Sequence, residues 1–146
     1  MTQDGGVVVP GSFDEAELLV VVAAAIIQEG RLLVVSKKAA PSVFCLPGGK
    51  PDLGETPVET LVRELDEELG VRPLDPRFLA DVEARAALEG VPMKMTVFEA
   101  SISEVPRAAS ELADLRWISG GEPDVQLAPA VRDRVLPLLR QNGLVA

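Results

Sequence analysis

Two apolar segments in the first third of the chain predict a β-hairpin. Residues 18–27 form an uninterrupted run of Leu, Val, Ala and Ile, which is typical of a strand buried on both faces. The turn Gln28-Glu29-Gly30 follows, and RLLVVS at 31–36 predicts the antiparallel partner strand. Residues 39–54 are rich in proline and glycine and predict a loop.

The hydrophobic period then changes from that of a strand to that of a helix. Thr56 is suited to be the N-cap, because Pro57 follows at the first helical position and Glu59 at the third. Gly70 is suited to end the helix. Apolar residues at 3.6-residue spacing predict the buried stripe. They are Val58, Leu61, Val62, Leu65 and Leu69.

The second half of the chain predicts three more strands and one more helix. Residues 78–86 and 91–101 predict strands around the turn Glu89-Gly90, and 115–119 predict a short strand. A last helix is predicted from Ala128-Pro129 to about residue 140, with Pro137 kinking it. This order fits an α/β protein, a mixed β-sheet with helices packed on it.

Length and composition indicate one globular domain over residues 1–146. The single cysteine, Cys45, rules out an internal disulfide and favours a reducing compartment. The N-terminal sequence lacks the basic region of a signal peptide, and the longest apolar run has ten residues, too few to span a bilayer. We therefore expect a cytoplasmic protein with no membrane partner. Residues 1–17 are interpreted as a flexible tail or an extra strand contributing to a dimer, so monomer and homodimer both stay open.

The charge of the chain restricts its partners. A net charge of −9 disfavours nucleic-acid polymers, whose binding depends on neutralised phosphates. A small phosphorylated ligand remains compatible if a metal ion supplies positive charge. Histidine is absent, which excludes His-based triads and argues against a zinc site.

Against this background, the sequence RELDEELG at 63–70 crowds carboxylates into one helical segment. Glu64, Glu67 and Glu68 stand at i, i+3 and i+4, so they are predicted to form a patch away from Leu61, Leu65 and Leu69. The patch is either a solvated helix face or the site of a cation. Like charges at i,i+4 weaken a helix when no cation is present.

The segment GGKPDLGETPVETLVRELDEELGV at 48–71 resembles the Nudix box. The matching residues are Gly49, Glu55, Arg63, Glu64, Leu65, Glu67, Glu68, Gly70 and Val71, all at the family's spacing. The preceding FCLPGGK, from Phe44, is similar to the family's usual lead-in. The resemblance implies an α/β/α sandwich with a mixed sheet between helices. It also implies hydrolysis of a nucleoside diphosphate linked to another moiety, with Mg²⁺ or Mn²⁺ as the cofactor.

The same resemblance implies roles for individual residues. Glu64, Glu67 and Glu68 would bind the metal together with the carbonyl of Gly49, and Glu64 is the position often assigned as the base. Arg63 and Glu55 would form the family's structural ion pair. Some MutT-like members carry a further metal-binding glutamate on a late loop, where Glu111 stands here; a plain surface glutamate is the alternative. Without histidine, the base must be a carboxylate or a metal-bound hydroxide.

The size of the chain and its LPGGK sequence are nearest to the MutT-like subgroup, which implies conversion of a (deoxy)nucleoside triphosphate into a nucleoside monophosphate and pyrophosphate. Lys50 and Phe44 are candidates for substrate contacts, with a solvated lysine and a packing phenylalanine as the alternatives. The segment LAPAVRDRV has no counterpart of the asparagine with which MutT-like enzymes read oxidised guanine, which argues against an 8-oxo-guanine preference.

Other functions stay open at this stage. Within the family, the substrate could be ADP-ribose, a nucleotide-sugar or a dinucleoside polyphosphate. A non-catalytic Nudix domain that senses nucleotides is a further alternative, and an acidic interaction domain with solvated carboxylates is another. The intact box favours an enzyme over both.

Overall fold

The predicted hairpin lies at the centre of the sheet in the computed structural model, which describes residues 18–145. Strand β1 spans Leu19–Gln28 and β2 spans Arg31–Lys37, with Gln28 opposite Arg31 at the turn. The hairpin prediction is confirmed. The interpretations of residues 1–17 lie outside the described part of the chain.

The predicted loop at 39–54 contains two strands. Strand β3 spans Ala40–Cys45 and pairs with β2, and β4 spans Gly48–Gly49 and pairs with β1. The loop prediction is therefore wrong for these residues. Proline is tolerated in β3 because Pro41 falls where the register with β2 is irregular.

Apart from a two-residue strand at Gln126–Leu127, which was not predicted, the remaining elements follow the predicted order within a few residues. They are α1 (Pro57–Leu69), β5 (Leu74–Arg85), β6 (Pro92–Ser101), β7 (Leu112–Ile118), β8 (Gln126–Leu127) and α2 (Leu136–Gln141). A π-helical turn at Val131–Val135 leads directly into α2. In this turn the Leu136 N–H donates to the Val131 carbonyl, five residues earlier. We predicted a kink at Pro137. The structure has a widened, π-helical turn directly before this proline, which has no backbone N–H to donate. No helix within residues 18–145 is long and apolar enough to cross a membrane.

The sheet is mixed and has helices on both faces. Its strand order is β5-β6-β1-β2-β3-β8, with β4 beside β1 and β7 beside β2. Strand β6 runs parallel to β1, which explains why β1 is apolar on both sides. Val22, Ala24 and Ile26 contribute to the core under α1, and Ala23 and Ala25 to the core under the C-terminal helix. The predicted α/β/α sandwich is confirmed.

Candidate active site

Helix α1 carries the acidic residues, and both of its ends are fixed by local hydrogen bonds. The Thr56 side chain accepts from the Glu59 N–H at 3.2 Å, and the Glu59 carboxylate accepts from the Thr56 N–H at 2.8 Å. Gly70 ends the helix in the left-handed region with φ 67° and donates its N–H to the Asp66 carbonyl. These caps confirm the predicted helix boundaries and fix the position of the acidic side chains along the helix.

The face that α1 buries differs from the predicted stripe. Val58 and Val62 are 39% and 41% exposed, whereas Glu68 is only 3% exposed. The buried residues are Thr60, Leu61, Leu65, Glu68 and Leu69. The prediction that Glu68 faces away from the leucines is therefore wrong. The buried face of α1 is the side that meets β4. Because β4 consists of two glycines without side chains, polar groups of α1 can approach it.

Arg63 connects the loop before α1 to the acidic residues on it. Its Nε and Nη2 donate to Glu55 at 2.7 and 2.9 Å, and its Nη1 donates to Glu64 at 2.8 Å. Nη2 also donates to the Lys50 carbonyl at 3.0 Å. The bidentate bond to Arg63 is the main reason why the pKa of Glu55 is lowered to about 2. The predicted Arg63–Glu55 pair is present, and it fixes the loop against the helix.

The carboxylate of Glu64 lies directly against Gly49. A Cβ on Gly49 would come within 2.5 and 2.6 Å of the two Glu64 oxygens, which is too close for any side chain. Gly48 has a φ of +152°, and a Cβ there would collide with the backbone of Val22 in β1. The two glycines thus allow the loop to pass between β1 and the acidic face of α1.

Glu68 is a buried carboxyl group that accepts the Gly48 N–H at 3.2 Å. Burial raises its pKa to about 7, and the neighbouring charge of Glu64 acts in the same direction, while the Gly48 hydrogen bond opposes the shift. Glu68 and Glu64 therefore both face the Gly48–Gly49 strand from α1. Glu67 is exposed and accepts from Arg63 at 3.4 Å, and Asp66 lies on another side of the helix, beside Val62 and Gly70.

Glu111 comes from the segment before β7 and reaches the same region. Its carboxylate is 63% exposed and lies 3.7 Å from the Lys37 Nζ, and its carbonyl accepts the Lys38 N–H at 2.8 Å. The charges of Glu111 and Lys37 both act on the pKa of Glu68, Glu111 raising it and Lys37 lowering it. The structure thus brings Glu111 near the box residues although more than forty residues separate them in sequence.

A pocket of ≈ 100 Å³ opens beside the two glycines. Its walls are mostly apolar and come from β1, β3, the β5–β6 hairpin and the start of the C-terminal helix. Four of the residues that line it gave no signal in the sequence, namely Arg85, Glu89, Met93 and Met95; Lys37 and Cys45 line it as well.

Two residues predicted to contact the substrate do not line this pocket. Phe44 is 4% exposed and lies in the core with Arg116 stacked 5.2 Å from its ring centroid, so it does not line the pocket. Lys50 is exposed on the loop, where its carbonyl oxygen, not its amine, makes the contact with Arg63. In this structure Phe44 thus takes the packing role that was the alternative to a substrate contact, with its side chain directed into the core.

The donor set is compatible with a hard divalent cation. Carboxylate oxygens on one face of α1 and a loop carbonyl at Gly49 are the ligand types that Mg²⁺ prefers. In the described residues, however, no three Cys, Asp or Glu side chains converge in an arrangement that could hold a metal ion as it stands. Arg63 holds Glu64 and Glu67, so those side chains would exchange this partner for a cation.

Comparison with known proteins identifies the family of the chain. The model of the NUDIX domain family matches residues 17–139. A protein named putative 8-oxo-dGTP diphosphatase 2 from Mycobacterium tuberculosis is 35% identical over 132 residues, which cover 87% of this chain and 93% of that protein. The 8-oxo-dGTP diphosphatase of Escherichia coli is 39% identical over a shorter stretch of 49 residues, 31% of this chain and 38% of that protein.

Solved structures give the same result. The crystal structure of a MutT NUDIX hydrolase from Burkholderia pseudomallei is similar with a TM-score of 0.70 and 30% identity, covering 85% of this chain and 97% of that one. That of a UDP-X diphosphatase gives a TM-score of 0.72 and 25% identity, covering 90% and 65%. Members of the family act on small nucleotide substrates and generally use a divalent metal ion. The chain therefore belongs to the Nudix hydrolase family, as its box residues predicted.

Proposed function

We propose that the protein hydrolyses a (deoxy)nucleoside triphosphate to the monophosphate and pyrophosphate, with Mg²⁺ as the cofactor and Mn²⁺ as a substitute. The observation that carries the proposal is the position of the apolar pocket, which opens at Gly48 and Gly49 beside the carboxylates of α1. A nucleobase in the pocket would leave the phosphates at the acidic face, where the carboxylates of α1 would hold a cation that neutralises their charge.

Each box residue has a role in this proposal. Glu64, Glu67, Glu68 and the Gly49 carbonyl would hold the cation, and Glu111 would add an oxygen from the neighbouring segment. When bound, the cation neutralises the phosphate oxygens and makes water a better nucleophile. Glu64 would take up the proton of that water.

Arg63 would position the carboxylates of this site. It would keep Glu64 in place from the loop side, and Glu55 would orient Arg63 through the two hydrogen bonds between them.

The choice among nucleotides depends on the pocket walls. Two of the proteins named above carry the name 8-oxo-dGTP diphosphatase, one of them as putative, so 8-oxo-dGTP belongs among the compounds to be tested. The wall formed by the C-terminal segment consists of Ala128, Ala130 and Val131, which offer no side-chain hydrogen bond to an oxidised guanine. We therefore favour an unmodified nucleotide. The single cysteine favours a reducing compartment such as the cytoplasm for this reaction.

The test is a panel of nucleotides and their conjugates, analysed by product masses. It includes the eight common nucleoside triphosphates, 8-oxo-dGTP, ADP-ribose, UDP-sugars and dinucleoside polyphosphates. We expect Mg²⁺-dependent release of pyrophosphate and loss of activity in EDTA. The variant Asp66→Asn should remain active, because Asp66 lies on another side of α1 from the proposed metal ligands. If no triphosphate releases pyrophosphate while a UDP-sugar or ADP-ribose is cleaved, the proposed substrate class is wrong. The protein is then a hydrolase of nucleotide conjugates.

A further inference from the structure

The pocket beside Gly48 and Gly49 contains three charged side chains in otherwise mostly apolar walls, namely Lys37, Arg85 and Glu89. Two of them are already engaged by the protein. Lys37 lies 3.7 Å from Glu111, and the Arg85 guanidinium donates to the Gly90 carbonyl at the tip of its own hairpin. For Glu89, the structure records no hydrogen bond or ion pair within residues 18–145. Its carboxylate is thus available to a ligand.

The hairpin between β5 and β6 holds Glu89 at the rim of the pocket. The Ala86 N–H donates to the Val91 carbonyl at 2.8 Å, and the Gly90 N–H donates to the Ala86 carbonyl at 2.9 Å. Gly90 makes the turn possible with a φ of +71°. Glu89 of the hairpin and Cys45 of β3 both line this pocket. A ligand in the pocket would pass this carboxylate.

We propose that Glu89 selects nucleotides whose base carries an exocyclic amino group. This inference rests on the proposed function, because it takes the pocket as the site of the base. An ionised carboxylate only accepts hydrogen bonds, so it can bind an amino N–H, as glutamate does with the N4 amino group of cytosine. A carbonyl oxygen at the same position, as in uracil and thymine, would meet the carboxylate with its lone pairs and be repelled.

The composition of the walls supports this assignment. Met93, Met95, Ala128 and Val131 have no strong hydrogen-bonding side-chain group. A carboxylate close to a triphosphate in a protein of net charge −9 also repels the substrate unless it makes a favourable contact. Contact with a base amino group supplies one. Glu89 is exposed, so we expect the discrimination to be at the low end of the range for such pairs, about tenfold.

The experiment compares nucleotides that differ in a single amino group. For dCTP against dUTP and dGTP against dITP, kcat/KM is measured for the wild type and for Glu89→Gln. The Kd values of the α,β-methylene analogues of dCTP and dUTP are measured by calorimetry. Glu83→Gln is the matched control, because Glu83 belongs to the same hairpin but lines the groove beside Asp133 and Arg134. It removes the same charge outside the pocket.

We expect the wild type and Glu83→Gln to prefer the amino-bearing member of at least one pair by about tenfold. Glu89→Gln should lower that preference to about threefold or less, because its amide both donates and accepts. The inference is overturned if the wild type prefers neither member in kcat/KM or in Kd, or if Glu89→Gln keeps the full preference. Binding of the dCTP analogue with this preference but without hydrolysis of any nucleotide would support the inference and refute the proposed function.

Discussion

Replacing Glu68 by glutamine separates the chemistry of the acidic face from its effect on folding. The Glu68 carboxyl group is 3% exposed, and burial raises its pKa from 4.5 to about 7. The folded state therefore holds this proton more tightly than the unfolded state does. The resulting stabilisation is fully present below about pH 4.5 and is lost as the pH rises through 7.

The size of the effect follows from the same pKa. At about 1.4 kcal/mol for each pH unit, a change from 4.5 to about 7 corresponds to at most about 3.5 kcal/mol of stability lost by pH 8. Glutamine is neutral at every pH, and its carbonyl oxygen can still accept the Gly48 N–H. Glu68→Gln should therefore raise the free energy of unfolding at pH 8 by about 1–3 kcal/mol. At pH 4, below the ordinary pKa of 4.5, the difference should be close to zero.

Urea denaturation in EDTA measures this difference without bound metal. Trp117 is the only tryptophan and packs against the core under α1, so its fluorescence reports the unfolding of this region. Asp66→Asn is the control, because Asp66 is exposed and should show no comparable gain at pH 8. If Glu68→Gln is no more stable than the wild type at pH 8, burial does not raise the pKa of Glu68 as described. Activity with Mg²⁺ should nevertheless fall by orders of magnitude in this variant, since a proposed metal ligand is lost.

Three further changes test the loop and the helix. Gly49→Ala should displace the Glu64 carboxylate and raise the Mg²⁺ concentration for half-maximal activity about tenfold or more, with an unchanged circular dichroism spectrum. Arg63→Gln should bring the pKa of Glu55 from about 2 back toward its ordinary value, measured by ¹³C NMR titration of the carboxyl groups; an unshifted Glu55 resonance would contradict the bidentate pair. Thr56→Ala should cost about 0.5–2 kcal/mol in urea denaturation through loss of the N-cap, with kcat little changed.

The helix shows how far the sequence alone could predict the site. The caps at Thr56 and Gly70 depend on neighbouring residues, so local rules predicted them correctly. The buried face depends on what packs against the helix, and there the apolar side chains of Val58 and Val62 shifted the predicted stripe to the wrong side. The strand opposite Glu68 consists of two glycines, and a pattern of hydrophobic residues carries no information about it. Glu68 was therefore identified as a candidate from the box, but its burial was not predicted.

The pocket was missed for a related reason, and the same reason explains why Glu89 gave no signal in the sequence. The parallel register of β1 and β6 places Leu19 opposite Met93 and Val21 opposite Met95, and all four side chains line the pocket. A parallel pair has no short turn that could reveal it, because a long crossover connects its strands. In the sequence, Glu89 looks like an ordinary glutamate at the tip of a hairpin. Only the neighbouring strands place it at the rim of the pocket, as the proposed hydrogen-bond acceptor. The proposed specificity thus depends on long-range strand pairing, whereas the residues of the proposed metal site lie mainly in one local segment. For this reason the sequence indicated the reaction more clearly than the substrate.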